Sequence, residues 1–309
     1  MNHLFYLLPL IGIPLAAGSI LLFHTGTERY KWPCVFVVST LVLLFASAIC
    51  SLKHPVQLFS YRFTPIVTIS FNLDSLGLLF SLLASWLWLF TLVYSHGYMR
   101  HEENTRRYLG FLLLSLAVTN GIALAGNLVT LFFFYEALTL TTYPLVIHRQ
   151  TPEAMRAGIV YLAYNLIGAT FVLLGIATLA SQLQCIDFVP GGIIPADTFT
   201  PQGLLRLFSL LCIGFGVKSA VIPLHHWLPT AMVAPTPVSA LLHAVAVVNA
   251  GVFGLFRTLG YVFGSGILND SGLGQLLSWP MIITIVLGSI WAFRQDDLKR
   301  RLAYSTISQ

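Results

Sequence analysis

Long apolar runs recur along the chain at residues 4–23, 32–52, 72–94, 108–126, 128–147, 157–182, 204–232, 237–262 and 275–293, each bounded by polar or Gly/Pro positions. A helix needs roughly 20 apolar residues to cross the hydrocarbon core of a bilayer, and these runs are of that order. Lipid tolerates only helices and closed barrels, because both satisfy their own backbone groups, and the runs lack the two-residue alternation of barrel strands. The pattern predicts an all-α polytopic membrane protein of nine helices, with a tenth beginning at the end of the chain. The segment 53–71 breaks the rhythm with polar, β-branched and aromatic residues and reads as a short hairpin on the outer side, over the second and third helices. The stretch 183–203 is rich in Gly and Pro and reads as an outer connector without chemistry.

Composition sharpens this reading. Hydrophobic residues make up 57% of the 309 positions and charged ones only 9%, against about 25% charge in a soluble domain. Nucleic-acid binding and soluble enzymology are excluded as leading functions, and the bilayer is the first partner. The net charge of +5 reflects topology, not an anionic partner. Loops after odd-numbered spans hold Arg29, Lys31, Arg100, Arg106, Arg107, Arg149, Arg156, Arg294, Lys299, Arg300 and Arg301, against Lys53, Arg62, Arg206 and Arg257 on the other side. In a bacterial inner membrane that bias puts the amino terminus outside. No basic leader precedes the first run, which reads as a retained span, not a cleaved signal. Cys34, Cys50, Cys185 and Cys212 fall singly, so no zinc or iron–sulfur site is expected. The GFGVKSA stretch fits neither GxGxxG nor GxxxxGK[ST]. No flavin, nicotinamide or haem motif occurs, so no cofactor, metal or redox chemistry is expected on this chain.

The candidate chemistry lies in ionisable residues at mid-membrane. Glu136 stands nine residues after Asn127 and twelve before His148, roughly 13–18 Å from either end of its helix. A carboxylate there costs about 2.5–3.5 kcal/mol or more on insertion scales, so it asks for a partner. The plain structural alternative is a protonated Glu bonded to a neighbouring carbonyl. Lys218 stands twelve residues after Arg206 and fourteen before Met232, roughly 18–21 Å from each end, too deep for easy snorkelling. Pro223 follows it, so the seventh span is predicted to kink or break just beyond the lysine, as helices do at transporter ion sites. His243 lies near the middle of the eighth span. A lone His on an apolar helix is more often a satisfied core residue than a relay, but its pKa range suits proton transfer. Asn249 follows it as an auxiliary polar group. His225 and His226, beside Trp227, fit an interfacial reading as well as a functional one. Asp74 at the outer end of its span fits a helix cap. An acid, a base and an imidazole at similar depth on three helices argue for a hydrated proton path. In such a path a Glu–Lys pair stores a proton when close and releases it when parted. Sodium would want a cage of several oxygens, which these groups do not supply.

In these residues the chain resembles the antiporter-like, proton-translocating membrane subunits shared by respiratory complex I (NADH:quinone oxidoreductase), Mrp-type cation/proton antiporters and membrane-bound hydrogenases. The resemblance runs from about Phe71 to Gln309. It rests on KSAVIPLHHWLPTAMVAPTPVSALLHAVAVVNAGVFGLFR at 218–257, FFFYEALTLTTYPLVI around Glu136, and DLKRRLAYSTISQ at the end. It implies two inverted five-helix repeats, each with a broken helix and an ionisable centre. Residues 1–107 would then hold the first three spans and the outer hairpin, 108–262 a complete first repeat, and 263–309 the start of an incomplete second repeat. It also implies proton-transfer roles for Glu136, Lys218 and His243, with Asn249 standing where many members carry a lysine. The expected function is a non-redox, proton-translocating subunit of a redox-driven pump such as an NADH:quinone oxidoreductase or a membrane-bound hydrogenase, assembled with other membrane subunits. The alternatives are an Mrp-type sodium/proton antiporter subunit without redox partner, and a non-conducting scaffold.

Overall fold

A computed structural model describes residues 7–23, 31–49, 56–64, 67–183, 185–195, 198–244 and 246–309. Arg29, Cys50 and Lys53 lie outside the described residues, as do the side chains of Ile49, His101 and residues 242–244, His243 among them.

Helices follow the apolar runs. After a π-helical turn at Leu8–Gly12 come α1 (Ile13–Phe23), α2 (Lys31–Ile49), α3 (Ser75–Tyr98), α4 (Thr105–Ala123), α5 (Leu128–Val146) and α6 (Pro152–Gln182). The chain continues through α7 (Pro201–Lys218), α8 (Trp227–Thr230), α9 (Thr236–Ala244), α10 (Val247–Arg257), α11 (Gly264–Asp270), α12 (Leu273–Phe293) and α13 (Leu298–Ser308). Among the described residues, six helical stretches are long and apolar enough to cross a membrane. The starts are set locally. Asp74, Asn127, Thr151, Thr200 and Asp297 each accept a hydrogen bond from the backbone N–H three residues on, satisfying a donor the first turn leaves open. Proline follows Thr151 and Thr200 at the first helical position, where no N–H is needed.

A hairpin forms in the expected segment, but it is seated on α4 and α5 and not over the second and third helices. Strands β1 (Val56–Arg62) and β2 (Thr68–Leu73) pair antiparallel, from Val56 opposite Leu73 to Arg62 opposite Thr68. It docks on the corner between α4 and α5: Asn72 N donates to Leu124 O at 2.9 Å and Gly126 N to Ser70 O at 2.8 Å. This end of the bundle is the hairpin face.

Helix α4 is buried on almost every side, which explains why its sequence tolerates Ser115, Thr119 and Asn120. Ser81 of α3 donates to Asn120 at 2.5 Å; with no hydrophobic drive between helices in lipid, such bonds and small residues hold a bundle together. Helices α6 and α7 close on Gly168 and Gly214, where a Cβ on either would stand 3.0 Å or less from the other's carbonyl oxygen.

Both spans near the lysine are interrupted. Helix α7 stops at Lys218, five residues before Pro223, so the proline is not what ends it. Val221 N donates to Gly216 O and Ala220 N to Val217 O, both at 3.0 Å, and Ala220 takes a left-handed φ of 57°. This is the Schellman ending, in which a residue after the cap turns left-handed so that two orphan carbonyls are satisfied. Glycine normally fills that position; alanine fills it here. Residues 219–226 then run as turns before α8, with Ile222 N donating to Thr284 of α12 at 3.1 Å. The eighth run, read as one span over 237–262, is divided into α9 and α10 and followed by a π-helical stretch at Thr258–Phe263. Arg257 also departs from its sequence reading. It is no loop charge but is 1% exposed at the end of α10.

Candidate functional site

Lys218 ends α7 with none of its surface exposed. Three features receive its ammonium, all from α5. Nζ donates to the Tyr135 carbonyl at 2.6 Å and to the Thr139 hydroxyl at 2.9 Å, and it lies 3.4 Å from the centre of the Tyr135 ring. Tyr135 and Thr139 are one helical turn apart, so they share a face. The Tyr135 hydroxyl donates back to Gly214 O on α7 at 3.3 Å. Three hydrogen-bond donors on a buried ammonium thus meet neutral oxygens and a ring face. Such an environment hydrogen-bonds the charge without neutralising it.

Glu136, adjacent in sequence to that carbonyl, is half-buried and makes no direct ion pair with Lys218 among the described residues. Its Oε1 is shut from solvent without a hydrogen-bond partner. A buried orphan oxygen asks for water or a movable partner. The acid and base are therefore neighbours held apart, with Lys218 bound to the backbone beside the carboxylate.

The remaining sequence candidates fall in different places. His243 sits on α9, with its side chain outside the described residues. Asn249 is on α10, on the wall of a cavity of about 730 Å³ that Ser219, Met281 and Thr284 also line. His225 is in the broken segment, stacked on Trp291 with ring centres 5.0 Å apart, and its Nδ1 is a further buried orphan. His226 is exposed and lines a cavity of about 290 Å³ with Arg156, Arg300 and Tyr304, at the face opposite the hairpin. Pro223 is exposed within the break. Asp74 caps α3 through Gly77 N at 2.9 Å, as its position implied, and its carboxylate also pairs with both terminal nitrogens of Arg257.

Polar groups continue from Lys218 toward the His226 cavity. Thr139 is followed one turn on by Thr142, whose hydroxyl lies 2.7 Å from Tyr161 Oη on α6. Asn165 donates to Tyr161 O at 2.8 Å and keeps its own buried Oδ1 unpartnered. The ring of Tyr161 meets Trp227, whose indole N–H donates to Val217 O at 2.8 Å, beside the lysine. At the same face Lys299 of α13 donates to Ala234 O at 2.7 Å and Met232 O at 3.2 Å, tying α13 to the turn that joins the two broken spans. Nearby His148 follows α5; burial first, then the Arg107 guanidinium, hold its imidazole below its ordinary range.

Tyr135, Thr139, Tyr161 and Arg257 were not singled out from the sequence. The first two carried a signal, since positions one before and three after an intramembrane Glu lie within a turn of it. Arg257 carried none, because its partner is 183 positions away.

The arrangement matches known proteins along its length. A family model described as "NADH:quinone oxidoreductase/Mrp antiporter, TM" matches residues 125–309. The chain belongs to that family. A second, "NADH-Ubiquinone oxidoreductase (complex I), chain 5 N-terminus", matches 66–109. The chloroplastic NAD(P)H-quinone oxidoreductase subunit 5 of Anthoceros angustus is 31% identical over 326 residues, covering 98% of this chain and 43% of that protein. The same subunit of Ceratophyllum demersum is 32% identical, covering 98% and 42%. The chain thus spans about two fifths of the length of these curated relatives. Among solved structures, the Mrp complex from Dietzia sp. DQ12-45-1b superposes with a TM-score of 0.85 at 25% identity, covering all of this chain and 33% of its match. A membrane-bound sulfane sulfur reductase, an archaeal respiratory membrane complex, gives 0.84 at 24% identity over 99% of this chain and 63% of its match, a likeness of fold. The chain is an integral membrane protein of this antiporter-like class.

Proposed function

We propose that this chain moves protons, as part of a multisubunit membrane complex, along a line from the His226 cavity through Tyr161, Thr142 and Thr139 to Lys218, with Glu136 as the group that exchanges a proton with the lysine. The observation that carries this reading is the Lys218 site itself: a fully buried ammonium bonded to neutral oxygens beside a carboxylate oxygen with no partner. An ammonium so placed can lose its proton without leaving a stranded ion pair behind, and a carboxylate so placed can take one up. When Glu136 swings to Lys218 their attraction holds both charged. When they part, as here, each charge stands alone in a poor solvent and the proton is passed on. We also propose a proton-transfer role for His243 of α9, as the family resemblance implies. From the charge bias of the loops we infer that the His226 face is cytoplasmic and the hairpin face outside, in a bacterial inner membrane.

The complex is proposed to be redox-driven, after the quinone oxidoreductase subunits it resembles, with electron transfer on other chains and no cofactor on this one. The superposition on the Mrp complex favours a second reading, sodium/proton exchange without a redox partner. Vesicles of the native membrane, with Lys218→Ala or Glu136→Gln in this chain, test the first. Protons moved per electron are expected to fall by more than half, and an unchanged ratio contradicts the relay. Proton movement driven by a sodium gradient with no electron donor present selects the second reading.

A further inference from the structure

Arg257 is as deeply buried as Lys218 and takes no part in the line just described. It stands on α10, whose Gly251 is pressed against the backbone that links Lys218 to Ser219: a Cβ there would lie 2.5 Å from Ser219 N and 2.8 Å from the Lys218 carbonyl carbon. Six residues further along α10, about 9 Å of helix rise toward the hairpin face, stands Arg257. Between the two levels Phe253 stacks on Phe80 of α3 with ring centres 4.7 Å apart. Above them the guanidinium carbon lies 4.9 Å from the Phe253 ring, 4.6 Å from Tyr261 and 5.0 Å from Phe188 of the 185–195 loop. Asp74 holds its two terminal nitrogens.

On the hairpin side of this pair is a cavity of about 280 Å³, lined by Gln57, Asn72, Asp74, Phe188, Arg257 and Tyr261 among others. Two of its lining groups are orphans: Arg257 Nε, a donor, and Asn72 Oδ1, an acceptor, both shut from solvent without partners. A roomy polar space flanked by an unpaired donor and an unpaired acceptor is where buried water sits. Lys218 can surrender a proton, but an arginine keeps its charge under all physiological conditions, so it does not pass protons on and it repels any cation that approaches.

We propose that Arg257, clamped by Asp74 and ringed by Phe188, Phe253 and Tyr261, is an electrostatic seal between a water-filled cavity at the hairpin face and the proton site at Lys218, preventing passive leak along α10. This rests on the reading of Lys218 as a proton carrier. The seal works by the positive charge, whereas a clasp that merely joined α3 to α10 would depend equally on both partners. The two roles separate in the variants. The intact complex is reconstituted into liposomes containing a trapped pH-sensitive dye, and passive proton flux is driven by a potassium diffusion potential. Arg257→Gln, which can still hydrogen-bond Asp74, is expected to raise the flux on the order of tenfold, the change that about 1.4 kcal/mol off a barrier produces. Arg257→Lys and Asp74→Asn keep the cation and are expected to stay tight, and adding Lys218→Ala to Arg257→Gln returns the flux to baseline. Equal leak from Arg257→Gln and Asp74→Asn, no leak from Arg257→Gln, or a leak that survives Lys218→Ala overturns the seal.

Accessibility gives a second reading that does not need transport. In the full chain, Gln57→Cys is expected to react with a membrane-impermeant thiol reagent added at the hairpin face. Phe253→Cys is expected to react there only when Arg257→Gln is also present. An unreactive Gln57→Cys, or a Phe253→Cys that reacts with Arg257 in place, contradicts the proposal. If Lys218→Ala abolishes coupled transport while Arg257→Gln stays tight, only the seal falls. If Lys218→Ala leaves coupled transport intact, the relay falls and takes the seal with it.

Discussion

Two basic side chains are buried on the packed helices α7 and α10, and the protein treats them in opposite ways. Arg257 is given a counter-ion at both terminal nitrogens and three aromatic rings. Lys218 is given a carbonyl, a hydroxyl and one ring, while the nearest acid is left without a bond. An arginine cannot discharge, so burying it demands a fixed anion. A lysine can discharge, so a site that only partly compensates its charge leaves the proton free to go. The pairing pattern separates a group that holds charge in place from one that moves it.

The difference between the two residues shows first in stability. Arg257→Ala strands the Asp74 carboxylate at the outer end of α3, and loss of one partner of a buried pair costs about 3–5 kcal/mol. Asp74 is 18% exposed, so the lower end of that range applies. Lys218→Met strands no bonded ion, and denaturation of the purified complex is expected to show little loss, or a gain. A large loss for Lys218→Met would mean that Glu136 and Lys218 are paired after all. Trp227→Phe comes next. It frees the Val217 carbonyl beside the lysine, at a cost of about 1–3 kcal/mol for an unsatisfied buried group, and is expected to lower transport less than Lys218→Ala does. Ala220→Gly runs the other way. It relieves a left-handed alanine and should stabilise by roughly 1 kcal/mol, with transport kept if the helix ending only needs to exist. Transport lost in Ala220→Gly would show that strain at the break is part of the cycle. The smallest effect concerns His148. Its neutral form is favoured in the folded protein, so its contribution is complete above the ordinary value of 6.5 and is lost as pH falls from there through the lower folded value. His148→Gln should flatten that part of the stability profile; an unchanged profile would show that the imidazole is not held neutral.

Much of this was legible in the chain because membrane burial is a severe filter. Apolar runs marked the helices, and the cost of charge in lipid made Glu136 and Lys218 stand out before any contact was known. The capping role of Asp74 and the hairpin were also readable, since caps and strand chemistry are local. What stayed hidden was non-local or depended on backbone geometry. Pro223 predicts the break after Lys218, whereas the helix ends five residues before it through a Schellman turn at an alanine, a residue type that gives no warning of left-handed backbone. Arg257 reads as a loop charge in the sequence because its place near the end of an apolar run looks identical whether the side chain faces water or a distant carboxylate. The Gly/Pro-rich connector looked inert, yet Phe188 within it covers that guanidinium.

The most direct test of the central claim is Lys218→Arg in the intact complex, measured as protons moved per electron in native membrane vesicles. The substitution keeps a positive charge, hydrogen-bond donors and a long stem, and removes only the ability to give up a proton. Lys218→Arg is expected to be as inactive as Lys218→Ala. Transport near the wild-type ratio in Lys218→Arg would mean that the charge at this position is what matters, and that the lysine is not the group that carries the proton.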